Sequence, residues 1–257
     1  MTDAMTSMLA DPVANFVLMC ADDKLMLGHM VSDWTGLAPN LEEDIAASSM
    51  AQDDLSHALV LYEHLGNRFG LEADEIAFAR DACGYRCCDL MTCPEEFDWA
   101  TSLVKRWLAA TFAACVFDVL CLAQDNDLAT RASRLREEQA IHVRHLGAWM
   151  IRLGSGTAES RSRMQSALDR LAAEACMLFE CPETGCDTDA FPPDLEAMFG
   201  PWSEGVRETL KDAGLSAEFS LPPAECRGGR RGTHADHFGE QLKEMTEVRR
   251  VAPSSAW

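Results

Sequence analysis

Residues 107–124 read Trp-Leu-Ala-Ala-Thr-Phe-Ala-Ala-Cys-Val-Phe-Asp-Val-Leu-Cys-Leu-Ala-Gln, with Asp118 as the one charge. A helix that is apolar on every side is stable only where other elements enclose it. The stretch therefore predicts a central helix, over 97–124, surrounded by others. Outward from it, Leu, Met, Ala, Glu and Arg recur at spacings of three and four, and alternation of β-branched with polar residues is rare. That period predicts further helices at 13–36, 41–69, 72–92, 127–153, 157–180, 201–213 and 234–250. The breaks fall at Ala38-Pro39-Asn40, Gly70, Cys93-Pro94, Asp125-Asn126 and Gly154-Ser155-Gly156. Long helices with short loops around an enclosed one form an all-α helical bundle. The expected organisation is one domain over 1–257, with a core bundle at about 13–180 and a C-terminal helical extension, 181–257, packed on it.

The charge narrows the function. With 22 Lys and Arg against 42 Asp and Glu, the net charge is -20, which excludes a chain built to neutralise a phosphate backbone. The opening residues have no basic region before an apolar run, and no stretch reaches the roughly 18 apolar residues of a membrane span. The expectation is a cytoplasmic protein with no nucleic-acid or membrane partner. Eleven cysteines without a secretion signal read as free thiols, and their spacing, which gives no CxxC pair, does not point to a zinc site.

Polar residues interrupt faces that a bundle should keep dry. In helix 41–69 the stripe Met50, Asp54, His57, Leu61 carries an acid and an imidazole three residues apart. Helix 13–36 gives Met26, Met30, Asp33, Leu37, and helix 127–153 gives Leu135, Gln139, His142, Leu146. Buried, such groups need hydrogen-bond partners or a metal ion. Di-iron carboxylate bundles take two lone carboxylates and two Glu-x-x-His pairs. Here Asp54-x-x-His57 and Gln139-x-x-His142 match in part, and Asp33 offers a third-helix acid. The candidate metal ligands are thus Asp33, Asp54, His57 and His142. Gln139 is neutral where a metal wants an anion, and Glu138 points about 100° away from it. With two or three anions in place of four, the same residues read as a metal-free hydrogen-bonded network with Gln139 and Glu138.

Several stretches carry a resemblance: Leu37 to Ala46 (LAPNLEEDIA), Ile141 to His145 (IHVRH), Arg152 to Ser160 (RLGSGTAES) with Arg163 to Leu168, Gly228 to His234 (GGRRGTH), and Glu244-Met245 through to Trp257. In this order they resemble the C-subunit family of the bacterial phenylacetyl-CoA epoxidases, which are ferritin-like proteins of aromatic degradation. The resemblance implies a ferritin-like bundle and a structural, non-catalytic role. It also implies a di-iron catalytic A-type subunit, a small B-type subunit and a reductase as partners, and no cofactor in this chain. A homodimer is a further option. Two departures point the other way: Gln52 to His57 resembles the metal-binding stretch of the catalytic subunit, and Asp33 falls where that subunit has its first Glu. Ala110 and Gln139 stand where it has further acids. The alternative implied is a divergent iron-binding oxygenase or oxidase with a partial site of its own.

Overall fold

The structure is a computed structural model and describes residues 3–180, 191, 195–221, 223 and 225–251. Ten α-helices are present among these residues, with no strand: α1 (Asp3–Ala10), α2 (Pro12–Ser32), α3 (Leu41–Phe69), α4 (Ala73–Phe78), α5 (Trp99–Leu120), α6 (Asn126–Gly154), α7 (Ala158–Cys176), α8 (Leu195–Ala213), α9 (Asp236–Met245) and α10 (Glu247–Val251). No single helix among the described residues is long and apolar enough to cross a membrane.

Local chemistry sets the ends. Asp11 accepts the Ala14 N–H at 2.8 Å, with Pro12 as the first residue of α2. Asn40 accepts the Glu43 N–H at 2.9 Å, and Glu42, Glu43 and Asp44 follow in the first turn of α3. Asp98 caps α5 through Thr101 at 2.9 Å, and Asp125 caps α6 through Leu128 at 3.1 Å. Each cap is worth about 1 kcal/mol. Gly70 ends α3 in the left-handed region, φ 71, where a side chain would be strained.

Two antiparallel hairpins, α2–α3 and α5–α6, build the core. Trp107, Leu108, Phe112, Val116 and Phe117 of α5 are buried, as a helix apolar all round requires. Helix α2 is enclosed as well, with Ala14 to Gly28 buried without interruption. Helix α8 packs on α5 and α6, and α9 on the segment before α5. The nine described cysteines are all free thiols.

Five expectations need correction. The first long helix stops at Ser32, because residues 33–38 turn back to bond α3: Gly36 N–H donates to Asp44 Oδ1 at 2.6 Å. The helix expected over 72–92 is only α4 followed by two 3-10 turns, Ala82–Gly84 and Asp89–Thr92. Here Arg80 turns inward to Asp22 and makes the helix period irrelevant. The last helix is split at Thr246, and α1 was not expected. Helix α8 starts at Leu195 and carries Pro201 in its interior.

Candidate functional site at the bundle centre

Three consecutive charges, Asp22, Asp23 and Lys24, lie buried on α2 and point about 100° apart. Each finds a different part of the chain. Asp22 takes a two-pronged bond from Arg80 (2.9 Å to Nη1 and 2.5 Å to Nη2), with the Tyr62 hydroxyl donating at 2.6 Å. Asp23 takes Arg230 Nη1 at 2.7 Å, from the C-terminal segment, and the Cys88 N–H at 2.8 Å. Lys24 turns into the bundle centre.

There its ammonium donates to Asp54 Oδ1 at 2.7 Å and to Gln139 Oε1 at 2.5 Å, and lies 5.5 Å from the Phe117 ring centre. Gln139 Nε2 donates onward to the Ala110 carbonyl at 3.1 Å. One cation thus ties α2, α3, α5 and α6 together. Burial works to raise the Asp54 carboxyl, but the Lys24 charge, with His142 beside it, outweighs burial and holds it below the usual carboxylate value.

The two histidines face the other way. His57 Nε2 lies 2.7 Å from Glu138 Oε2, and His142 Nε2 lies 3.0 Å from Asp53 Oδ2. Their rings are nearly parallel, with centres 6.2 Å apart. Burial first, and then the Lys24 charge, pushes His57 down to about 3; burial lowers His142 as well. The half-exposed Glu138 is screened by solvent and does not offset this. His57 is therefore neutral, with its Nε2–H donating to Glu138. Its buried Nδ1 meets no partner among the described residues, which a lone pair tolerates better than a proton would.

These contacts belong to a longer seam. His145 pairs with Glu43 at 3.1 Å and His64 with Asp127 at 3.1 Å, so four imidazole–carboxylate pairs join antiparallel α3 and α6. A groove of about 390 Å³ opens on the seam between Ser56, His57, Arg131, Arg134 and Glu138. On the inner side, the space between Lys24, Cys20 and Phe112 is only about 10 Å³, the room of one water.

Asp54, His57, His142, Gln139 and Glu138 are brought together, as their spacing suggested. Asp33 is not: it is exposed at the C-terminal cap of α2, nine residues beyond Lys24. The sequence does not single out Lys24, because Asp-Asp-Lys reads as a solvated stretch. The signal that could have exposed it is the apolar sequence on both sides, Phe16 to Ala21 and Leu25 to Leu27.

The residues present do not fit a carboxylate-bridged pair of metal ions. Bridging needs several anions at the centre, and the one carboxylate there, Asp54, is already neutralised by a lysine. Gln139 is neutral, Ala110 has no ligand atom, and both imidazoles spend their Nε2 on outward acids. Among the described residues no group of three His, Cys, Asp or Glu side chains is placed to share an ion.

Comparison with known proteins gives this centre its context. The chain is 27% identical over 246 residues to the C-subunit of the 1,2-phenylacetyl-CoA epoxidase of Escherichia coli strain K12, covering 94% of this chain and 98% of that one. The sequence profile of the phenylacetic acid catabolic proteins matches residues 1–257. An all-α bundle whose relative is one component of an epoxidase, matched from end to end, leads to one assignment: the chain belongs to the phenylacetic acid catabolic protein family.

Proposed function

We propose that this chain is a structural, non-catalytic subunit of a multicomponent phenylacetyl-CoA epoxidase, or of a related acyl-CoA oxygenase, and that it holds the di-iron catalytic subunit of that complex. The observation that carries the reading is the Lys24 ammonium bonded to Asp54 and Gln139 at the bundle centre. A lysine there supplies the positive charge around which the helices close, so the fold requires no ion. The void of about 10 Å³ beside Lys24 leaves no room for an aromatic ring. A bundle held this way keeps the shape of an oxygenase subunit while its surface serves assembly.

The test is anaerobic reconstitution with Fe(II), followed by metal analysis and by size-exclusion chromatography with the di-iron subunit of the same oxygenase. The expected result is no stoichiometric iron on this chain and co-elution with the partner. About two iron atoms per chain, lost on His57→Ala, would overturn the reading. So would a chain that elutes alone at every salt concentration while the di-iron subunit is active without it.

A further inference from the structure

Four large apolar side chains that the fold leaves in water lie on segments bonded to one another at one end of the bundle: Leu37, Leu41, Ile45 and Phe97, each more than half exposed. Leu37 sits in the turn after α2, and Leu41 and Ile45 lie one turn apart on the outer face of α3. Turn and helix are bonded to each other by Gly36 N–H to Asp44 Oδ1 and by the Thr35 and Ser48 hydroxyls at 3.1 Å. Phe97 reaches the same turn from the loop before α5. Its ring stands edge-on to Trp34 with centres 6.1 Å apart, while Trp34 Nε1 donates to Glu95 Oε2 at 2.5 Å. The turn around Trp34 therefore links the segments that carry all four residues.

Phe97 is held out against its backbone preference. Glu96 and Phe97 are consecutive non-glycine residues in the left-handed region, φ 50 and φ 52. A strained loop that buried the ring would at least gain apolar contact; this one leaves Phe97 70% exposed. At the solvent rim of the patch the acids Asp33, Glu42 and Glu96 are exposed, while the buried Glu43 and Glu95 are paired with His145 and Lys105. Asp44 and Asp98 are spent on the N–H groups of Gly36 and Thr101, which leaves those three exposed acids to set the charge of the rim.

We infer that Leu37, Leu41, Ile45 and Phe97 are the docking surface for a protein subunit that offers an apolar pocket for Phe97 bordered by Lys and Arg. This rests on the reading of the chain as a subunit of a hetero-complex and adds which face it uses. An apolar centre within a charged rim is the usual anatomy of such a surface, with aromatic anchors carrying much of the binding. A second copy of this chain would set acid rim against acid rim between two molecules of net charge -20. A basic-rimmed partner meets attraction in place of that repulsion.

The test measures binding of the full chain to the di-iron subunit of the same oxygenase by biolayer interferometry at two salt concentrations, with circular dichroism melts to check folding. Phe97→Gly relieves the backbone and removes the ring, so it should fold well and bind at least tenfold more weakly. Ile45→Asp should do the same, Glu42→Lys with Glu96→Lys should slow association, and Leu122→Asp, exposed in the α5–α6 loop, should bind like the wild type. Wild-type binding by both Phe97→Gly and Ile45→Asp would place the interface elsewhere and leave the subunit reading intact. A wild-type chain that never binds the partner would overturn both. A wild-type dimer in sedimentation that Phe97→Gly dissociates would make a second copy the occupant and overturn the inference.

Discussion

Lys24 of α2 and Asp54 of α3 are joined at 2.7 Å with side chains only 2% and 5% exposed, and Gln139 of α6 shares the same ammonium. Breaking such a pair from one side leaves the other charge stranded. Lys24→Met is expected to cost about 3–5 kcal/mol. Lys24→Met with Asp54→Leu should cost less than the two single changes summed, although Gln139 Oε1 still lacks its donor. Urea melts of the three variants and the wild type decide it, and strict additivity would mean that the pair is not coupled.

Acid should weaken the fold before carboxylates begin to protonate. His57 stays neutral in the native state down to about 3, whereas in the unfolded chain it takes a proton below about 6.5. The unfolded state then binds the extra proton, so stability is flat above neutrality and falls as pH drops below about 6.5. One such group gives a slope of up to about 1.4 kcal/mol per pH unit. His142 is shifted in the same direction and adds to it. Asp54, held low, keeps its contribution above the usual carboxylate value and loses it only as pH falls through its native value. Denaturant melts between pH 7.5 and about 5 should show a shallower loss in His57→Gln than in the wild type. Equal slopes would mean that His57 accepts its proton in the folded protein.

The thiols should divide sharply in reactivity. Burial pushes Cys20 up to about 12 and raises Cys87 and Cys88 well above the ordinary thiol value, while Cys83 is exposed. A thiol reacts as its thiolate and only where reagent can reach it. Brief iodoacetamide treatment of the native protein, read by mass spectrometry, is expected to modify Cys83 and spare the other three until urea is added. Comparable labelling of Cys20 would contradict its enclosure in the core.

The C-terminal segment is a structural clasp. Arg230 is fully buried, bonding Asp23 and the Arg86 carbonyl, while Glu180 accepts the N–H groups of Gly228 and Arg230. Gly229 and Gly232 have φ 103 and φ 74, and a Cβ on either would collide with the Cys87 or Cys83 carbonyl. Arg230→Ala leaves Asp23 unpaired and should cost about 3–5 kcal/mol. Gly232→Ala should loosen the segment through backbone strain and collision. Limited trypsin digestion would report both as faster cleavage at Arg227 and Arg231, and unchanged cleavage would show that the clasp is held by something else.

The fold was legible because α5 states its enclosure in its composition, and because Asn40, Gly70, Asp125 and Thr157 mark helix ends with local chemistry. The α3 and α6 half of the central cluster was legible too, since Asp54, His57, Gln139 and His142 interrupt clean apolar stripes. What failed was any residue whose role depends on a distant partner. Arg80 reads as one more helical charge until Asp22 is seen beside it. Lys24 is equally opaque, because only the packing of three other helices turns a common surface residue into the centre of the bundle. Asp33 erred in the opposite sense: it sits on the right helical stripe, but the chain leaves the helix one residue earlier.

The bond between Arg230 and Asp23 spans 207 residues of sequence. The hairpin of α2 and α3 can form from contacts close in sequence, yet Asp23 stays an unneutralised acid facing the interior until Arg230 docks beside it. Contacts of this length close late, because the ordering of the loop precedes any reward. The segment carrying Arg230 therefore acts as a late-closing seal on α2. A copy in which that segment fails to dock would keep its helices but carry an open acidic notch beside α2.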